Sequence, residues 1–142
     1  MNASKFAFTL TVAVLAPLGL TACEASSPAA NAEQAATPLE AVTTIDVADL
    51  SAQLAAGNVT LIDVRRPDEF AEGHIAGATN IPLDTFDPAA LPREEGKQMI
   101  LYCRSGNRSG KAAELLAAHD GSATHLDGGI VAWESAGKAV TQ

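Results

Sequence analysis

The 142-residue sequence is poor in aromatic residues and in positive charge. Aromatic side chains make up 4% of the chain, so a core would have to be built mainly from Ala, Val, Leu and Ile. Nine basic residues stand against 17 acidic ones, and the net charge of −8 argues against nucleic acid as a partner. The length suffices for one domain and not comfortably for two.

Sequence signatures of cofactor and metal sites are also lacking. No glycine-rich nucleotide-binding fingerprint is present in the chain. His119 and His125 stand at a predicted helix end and in a predicted short strand, without partners at metal-ligand spacing. We therefore expect neither a cofactor nor a metal ion.

The few basic residues are unevenly distributed. Five of the nine fall in or just after two predicted strand ends. If the two segments meet in space, they form a basic pocket suited to a small anionic substrate; otherwise they are scattered surface charges. The five residues are Arg65, Arg66, Arg104, Arg108 and Lys111.

One of these strand ends carries a cysteine. The apolar run over residues 99–102 predicts a buried strand that stops at Cys103. Polar residues over 104–109 predict a loop, and the pattern over 110–119 predicts a helix. The thiol is therefore expected where a strand ends and a helix begins.

Several features of this loop favour a thiolate over a thiol. Gly106 and Asn107 permit backbone angles that turn successive N–H groups toward one point. The helix N-terminus and the cations Arg104 and Arg108 stabilise negative charge as well. A lone cysteine after a core strand is usually a small buried hydrophobe, but such a position needs no flanking arginines. We therefore predict that Cys103 is a nucleophile.

Predicted strands and helices alternate along the rest of the chain. This order predicts an α/β fold, a small parallel sheet flanked by helices on both faces. Ligands of such sheets bind outside the carboxyl ends of the strands, where Cys103 and Arg65 both lie. The predicted strands are 43–45, 58–64, 78–81, 97–103 and 124–126, and the predicted helices begin after Asp46, at Pro67, at Gly110 and after Gly129, with a turn-rich stretch over 84–96.

The N-terminal segment predicts export. Residues 1–22 combine Lys5 with an apolar run over 6–20, which is shorter than the about 20 residues that a membrane span needs. The sequence Leu-Thr-Ala-Cys over 20–23 resembles a bacterial lipoprotein signal, which implies cleavage before Cys23 and a lipid thioether on its sulfur. The alternative is an ordinary secretory signal.

Residues 23–42 lack apolar periodicity and predict a flexible tether before a domain over 43–142. We expect a monomer that is lipid-anchored on the periplasmic face of a bacterial membrane. Glu24, rather than aspartate, favours the outer membrane by analogy if the source is Gram-negative. Lipidation would leave Cys103 unpaired in an oxidising compartment, which chemistry explains more readily than packing; without it the two cysteines could form a disulfide.

The loop over residues 103–109 resembles the active-site loop of the rhodanese family, the thiosulfate sulfurtransferases. Segments over 61–82 and 126–133 resemble the family signatures before and after that loop, in the right order. The resemblance covers 43–138 and implies a rhodanese-like fold. It also implies a Cys103 persulfide that takes sulfur from thiosulfate or a persulfide donor and passes it to cyanide or a thiol. By the same resemblance the donor is bound by Arg104, Ser105, Gly106, Asn107, Arg108 and Ser109, supported by Asp63 and Arg65.

Residue chemistry suggests individual roles around the predicted thiolate. Arg104 is expected to bind the sulfonate of the donor. Arg108 is expected to tie the loop together by bonding backbone carbonyls or Asp63, and Asp63 is expected to be a structural acceptor. We interpret His74 as structural, because a thiolate stabilised by dipoles needs no general base.

Two other functions remain open at this stage. A cysteine phosphatase or arsenate reductase of related fold has five residues between its cysteine and arginine, whereas four separate Cys103 from Arg108. The tighter loop leaves less room for a tetrahedral phosphate. A non-catalytic rhodanese-like binding module is the other alternative, although such modules commonly lack the cysteine that this chain retains.

Overall fold

A computed structural model describes residues 41–142 of the chain. The predicted signal peptide, the lipidation at Cys23 and the predicted tether up to residue 40 lie outside the described residues. Within residues 41–142, no helix is both long and apolar enough to span a membrane.

The described part of the chain contains five strands and four helices, which alternate except where two 3₁₀ turns connect the third strand to the fourth. The elements are β1 (Val42–Ile45), α1 (Val47–Ala55), β2 (Val59–Asp63), α2 (Pro67–Glu72), β3 (Thr79–Asn80), β4 (Gln98–Tyr102), α3 (Asn107–Asp120), β5 (Ala123–Leu126) and α4 (Gly129–Ser135), with 3₁₀ turns at Leu83–Thr85 and Pro88–Ala90. All paired strands are parallel, and their order in the sheet is β1-β5-β4-β2-β3. The predicted α/β fold with a parallel sheet is therefore confirmed.

The sheet separates two apolar layers, because successive residues of a strand point to opposite faces. On one face Leu101 of β4 packs in a cluster with Leu116 of α3. On the other face Ile100 belongs to a cluster with Leu50 of α1 and Trp133 of α4. Strand β4 is the middle strand and is covered by helices on both sides, as predicted for a parallel sheet.

Two element boundaries differ from the sequence-based prediction. Strand β1 begins at Val42, inside the predicted tether, because Val42 pairs with Ala123 of β5. Helix α3 begins at Asn107 rather than at Gly110, after Gly106 in the left-handed conformation with φ 95°. Glycine and serine are weak helix formers, which hides this start in the sequence. Residues 107–109 thus form the first helical turn, and Asn107 is the first residue of α3.

Helix α4 begins in direct contact with the backbone that follows β4. The N–H of Ile130 donates to the carbonyl of Cys103 at 2.9 Å, and that of Val131 donates to the carbonyl of Arg104 at 3.2 Å. Gly129 has φ +60°, and a Cβ there would lie 2.4 Å from the Cys103 carbonyl oxygen. Both its conformation and the lack of space require glycine at this position.

We predict that Gly129→Ala destabilises the protein by about 3 kcal/mol or more, because a methyl group would displace the Cys103 carbonyl. Gly57→Ala is the matched control, since Gly57 has φ +74° but a Cβ there would meet no atom within 4 Å. The control should cost only the left-handed strain, about 1 to 2 kcal/mol. Urea unfolding followed by the fluorescence of Trp133, the one tryptophan of the chain, measures both. Equal losses would contradict the steric argument.

Candidate active site

Cys103 follows β4 directly, at the carboxyl end of the middle strand, and is 1% exposed. Its Sγ accepts a hydrogen bond from the N–H of Gly106 at 3.2 Å and from the hydroxyl of Ser109 at 3.6 Å. The left-handed conformation of Gly106 turns the chain back toward the sulfur before α3 begins. The strand end, the turn and the first turn of α3 therefore enclose a single sulfur atom.

Opposing effects act on the ionisation of this thiol. Burial raises the pKa of Cys103, but the Ser109 hydroxyl and the backbone N–H groups of Ser109, Ser105 and Gly106 outweigh it and lower the pKa below its usual value. The backbone N–H of Ser109 is available because the first N–H groups of a helix have no partner within the helix. Neutral hydrogen-bond donors therefore shift Cys103 toward the thiolate form, and its coulombic interaction with Arg108 acts in the same direction.

Arg108 contacts a residue that differs from its predicted partners. Its guanidinium forms a bidentate ion pair with Glu69 of α2, at 2.6 and 2.8 Å, and bonds neither Asp63 nor a loop carbonyl. This contact lowers the pKa of Glu69 to about 2. Arg108 therefore joins the start of α3 to α2, and Glu69 compensates its charge. Sequence reasoning missed Glu69 as a site residue, because nothing in the local spacing links it to residue 108.

The carboxylate of Asp63 is paired with Arg65 and not with Arg108. Its fully buried carboxylate accepts the backbone N–H of Arg65 at 2.9 Å and the guanidinium Nη2 at 2.6 Å. Arg65 Nη2 also donates to the carbonyl of Gly73 at 2.7 Å, and its guanidinium lies 5.8 Å from the centre of the Tyr102 ring. Asp63 is therefore a structural acceptor, and Arg65 has little freedom to move toward a ligand.

A pocket of about 290 Å³ opens beside the nucleophile loop. Arg104 lines it and is exposed, and no ion pair to Arg104 is found among residues 41–142. The predicted basic pocket is nevertheless only partly formed, because acidic residues share its walls and three of its expected arginines are paired with carboxylates. The pocket is lined by Arg65, Glu69, Glu72, Gly73, Arg104, Ile130, Val131, Glu134 and Val140.

Two other residues predicted to bind the donor, Ser105 and Asn107, are exposed to solvent. Ser105 acts on the Cys103 sulfur through its backbone N–H. Asn107 is the first residue of α3 and is also exposed. Within residues 104–109, backbone N–H groups of Ser105, Gly106 and Ser109 act on the sulfur, and donor binding by this loop stays a prediction.

Two histidines differ in their relation to the site. The ring of His74 stacks on Phe70 at 3.7 Å, and its Nδ1 lies 3.1 Å from the Phe70 carbonyl, consistent with a structural role. The Nδ1 of His125 in β5 lies 3.3 Å from the hydroxyl of Ser109. Because that hydroxyl contacts the sulfur, a single residue lies between His125 and Cys103. Sequence reasoning did not connect His125 to Cys103. Within residues 41–142, no group of three or more His, Cys, Asp or Glu residues is arranged to hold a metal ion.

The sequence model of rhodanese-like domains matches residues 46–136. A sulfurtransferase of Allochromatium vinosum is 37% identical over 94 residues, which cover 65% of this chain and 88% of that protein. The thiosulfate:glutathione sulfurtransferase of Saccharomyces cerevisiae is 36% identical over 94 residues, which cover 56% of this chain and 68% of that protein.

Comparison with solved structures and with longer relatives agrees. The crystal structure of a rhodanese-related protein from Thermoplasma volcanium matches with a TM-score of 0.63 at 33% identity, over 70% of this chain and 97% of that one. Uncharacterized proteins of Synechocystis and Bacillus subtilis are 48% and 42% identical over 56% and 51% of this chain, which spans 45% and 59% of their lengths. With its parallel sheet and its cysteine loop, the chain belongs to the rhodanese-like domain family, whose members include sulfurtransferases.

Proposed function

We propose that the protein is a thiosulfate sulfurtransferase that moves sulfane sulfur through a persulfide on Cys103 to cyanide or a thiol. The observation that carries this proposal is the convergence of the Gly106 N–H and the Ser109 hydroxyl on a buried sulfur. Such donors favour the thiolate, which is the nucleophilic form of cysteine. They also favour the anionic persulfide that the thiolate would become.

The first half of the reaction loads the enzyme. The Cys103 thiolate attacks the outer sulfur of thiosulfate and forms a sulfur–sulfur bond. The bond between that outer sulfur and the sulfonate sulfur breaks, and sulfite leaves with its electron pair. No external oxidant or reductant is needed, because the sulfane sulfur arrives already at the required oxidation level. Cys103 then carries a persulfide whose terminal sulfur holds the negative charge.

The second half-reaction removes the terminal sulfur from Cys103. An acceptor nucleophile attacks the terminal sulfur, and Cys103 leaves as a thiolate. Cyanide becomes thiocyanate, and a thiolate acceptor becomes a persulfide. The donors that stabilise the thiolate before attack also stabilise it as a leaving group. The same hydrogen-bond donors thus serve both half-reactions of a ping-pong cycle.

Arg104 is the residue best suited to bind the sulfonate of the donor. It follows the nucleophile directly, it is exposed, and it lines the pocket beside the loop. Arg65 lines the same pocket but is held by Asp63 and the Gly73 carbonyl. A guanidinium without a competing carboxylate offers paired N–H donors to an oxyanion.

The same contacts weigh against the alternative functions. A cysteine phosphatase needs an arginine that closes over the phosphate, whereas Arg108 is engaged by Glu69 in a bidentate pair. A non-catalytic binding module would have no use for a thiol whose pKa is lowered by three backbone N–H groups and a hydroxyl.

We expect thiosulfate to add one sulfur atom to Cys103, because the hydrogen-bond donors around the sulfur stabilise the persulfide anion. Intact mass spectrometry should detect this gain, and cyanide should remove it. Cys103→Ser should abolish both the adduct and sulfur transfer, since a hydroxyl is far harder to ionise. Cys23→Ser is the matched control and should still load one sulfur. The proposal fails if thiosulfate adds no sulfur to the wild type.

Arg104→Ala should raise the KM for thiosulfate about tenfold, the loss of one charge-assisted hydrogen bond, while some chemistry remains. Arg93→Ala is the control, because Arg93 pairs with Asp120 and lines a different pocket. Its kinetic constants should match those of the wild type. Steady-state assays with thiosulfate and cyanide measure both variants. An unchanged KM in Arg104→Ala would remove this arginine from donor binding.

We also propose that the mature protein is anchored through a lipid on Cys23, on the periplasmic face of a bacterial membrane. The support is the apolar run over residues 6–20 followed by Leu-Thr-Ala-Cys. Fractionation of bacterial cells should find the wild type with membranes and Cys23→Ser in the soluble fraction, because serine cannot form the thioether. A wild type that is already wholly soluble would refute the anchor.

A further inference from the structure

His125 lies on the face of the sheet that packs against α3. It is half-buried in β5, next to Leu101 of β4 and Thr44 of β1 in the strand register. Its Nδ1 lies 3.3 Å from Ser109 Oγ on the first turn of α3. Gly110 has no side chain beside the Cε1 and Nε2 edge of the ring; a Cβ there would be in van der Waals contact with Cε1, at 3.7 Å.

Ser109 connects this ring to the nucleophile. Its hydroxyl is fully buried and has three neighbours: the Gly106 carbonyl at 3.0 Å, Cys103 Sγ at 3.6 Å and His125 Nδ1 at 3.3 Å. A hydroxyl has one proton and can donate it to only one of them at a time. The Gly106 carbonyl already accepts the N–H of Gly110 at 2.8 Å, so it does not depend on the hydroxyl.

Which group receives the hydroxyl proton of Ser109 therefore depends on which nitrogen of His125 carries a proton. If Nδ1 has no proton, it competes with the sulfur for the Ser109 hydroxyl. If Nδ1 carries the proton, it donates to Ser109 Oγ, and the hydroxyl proton is left for the sulfur or the Gly106 carbonyl. A negative sulfur favours this second arrangement, because all donors of the chain then point toward the charge.

We propose that His125 is a positioning residue whose Nδ1–H donates to Ser109 Oγ and so directs the Ser109 hydroxyl toward the Cys103 thiolate. The chain of hydrogen bonds runs from imidazole to hydroxyl to sulfur, and no proton is transferred along it. The inference rests on the proposed function only in treating Cys103 as a reactive thiolate. It makes no assumption about the sulfur donor or acceptor.

The surroundings of His125 agree with a neutral donor ring. Burial lowers the pKa of His125, and Asp127 at the end of β5 opposes this in part. The strand neighbours Thr44 and Leu101 are uncharged. A neutral imidazole has one N–H, so Nε2 carries no proton when Nδ1 donates to Ser109.

The test measures the thiolate itself in the full-length chain carrying Cys23→Ser, so that Cys103 is the one thiol. Its pKa is read from ultraviolet thiolate absorbance and from the pH dependence of alkylation by iodoacetamide. His125→Leu should raise the pKa and slow alkylation at neutral pH by about threefold to tenfold, the effect of weakening one hydrogen bond. His125→Asn should retain most of the wild-type rate, because its amide nitrogen stands close to the position of Nδ1.

A double-mutant comparison separates the relay from a direct effect of the ring. Ser109→Ala should raise the pKa of Cys103, and adding His125→Leu should then change nothing further. The proposal is overturned if His125→Leu alone leaves the pKa unchanged, or if its effect persists without the Ser109 hydroxyl. It is also overturned if Asn behaves like Leu at position 125, a comparison that stands even if Ser109→Ala does not fold. Failure of persulfide formation with thiosulfate would refute the proposed function and leave this measurement intact.

Discussion

The buried ion pair between Asp63 and Arg65 fixes the end of the sheet on which the site is built. It holds β2 to the segment after α2, because the Arg65 guanidinium also donates to the Gly73 carbonyl. The side-chain amide of Asn80 donates to the carbonyls of Asp63 and Arg65, which adds β3 to the same assembly. Removing one partner of such a pair leaves a buried charge and typically costs about 3 to 5 kcal/mol. The nucleophile loop follows β4, the strand that pairs with β2 at this end of the sheet.

Neutral groups carry the electrostatics of the nucleophile. The two arginines of the loop are the conspicuous charges in the sequence, but Arg108 is compensated by Glu69, and Arg104 faces the pocket. Backbone N–H groups and one hydroxyl outweigh the cost of burying the sulfur. Neutral donors can therefore favour the thiolate in an acidic protein, with a further coulombic contribution from Arg108. This leaves Arg104 available for a ligand.

The sequence predicted what depends on local pattern. The apolar run over residues 99–102 identified β4, the start of α1 after Asp46 was predicted, and the abrupt change to polar residues identified Cys103. It failed where contacts join distant segments, as for Arg108 with Glu69 and for Ser109 with His125. Parallel strands are connected through helices, so residues far apart in the chain meet at one edge without any periodic signal. The early start of α3 was hidden by residues of low helix propensity.

The depth of Cys103 has a consequence for the size of the molecules that can react with it. A sulfur that is 1% exposed at the bottom of a turn is out of reach of a bulky thiol or of another folded protein. Addition of one sulfur extends the side chain by about 2 Å, the length of a sulfur–sulfur bond. In the proposed cycle, the terminal sulfur of the persulfide therefore lies one sulfur–sulfur bond further from the Cys103 backbone than the thiol does. The depth of Cys103 thus shields the resting thiol from large partners.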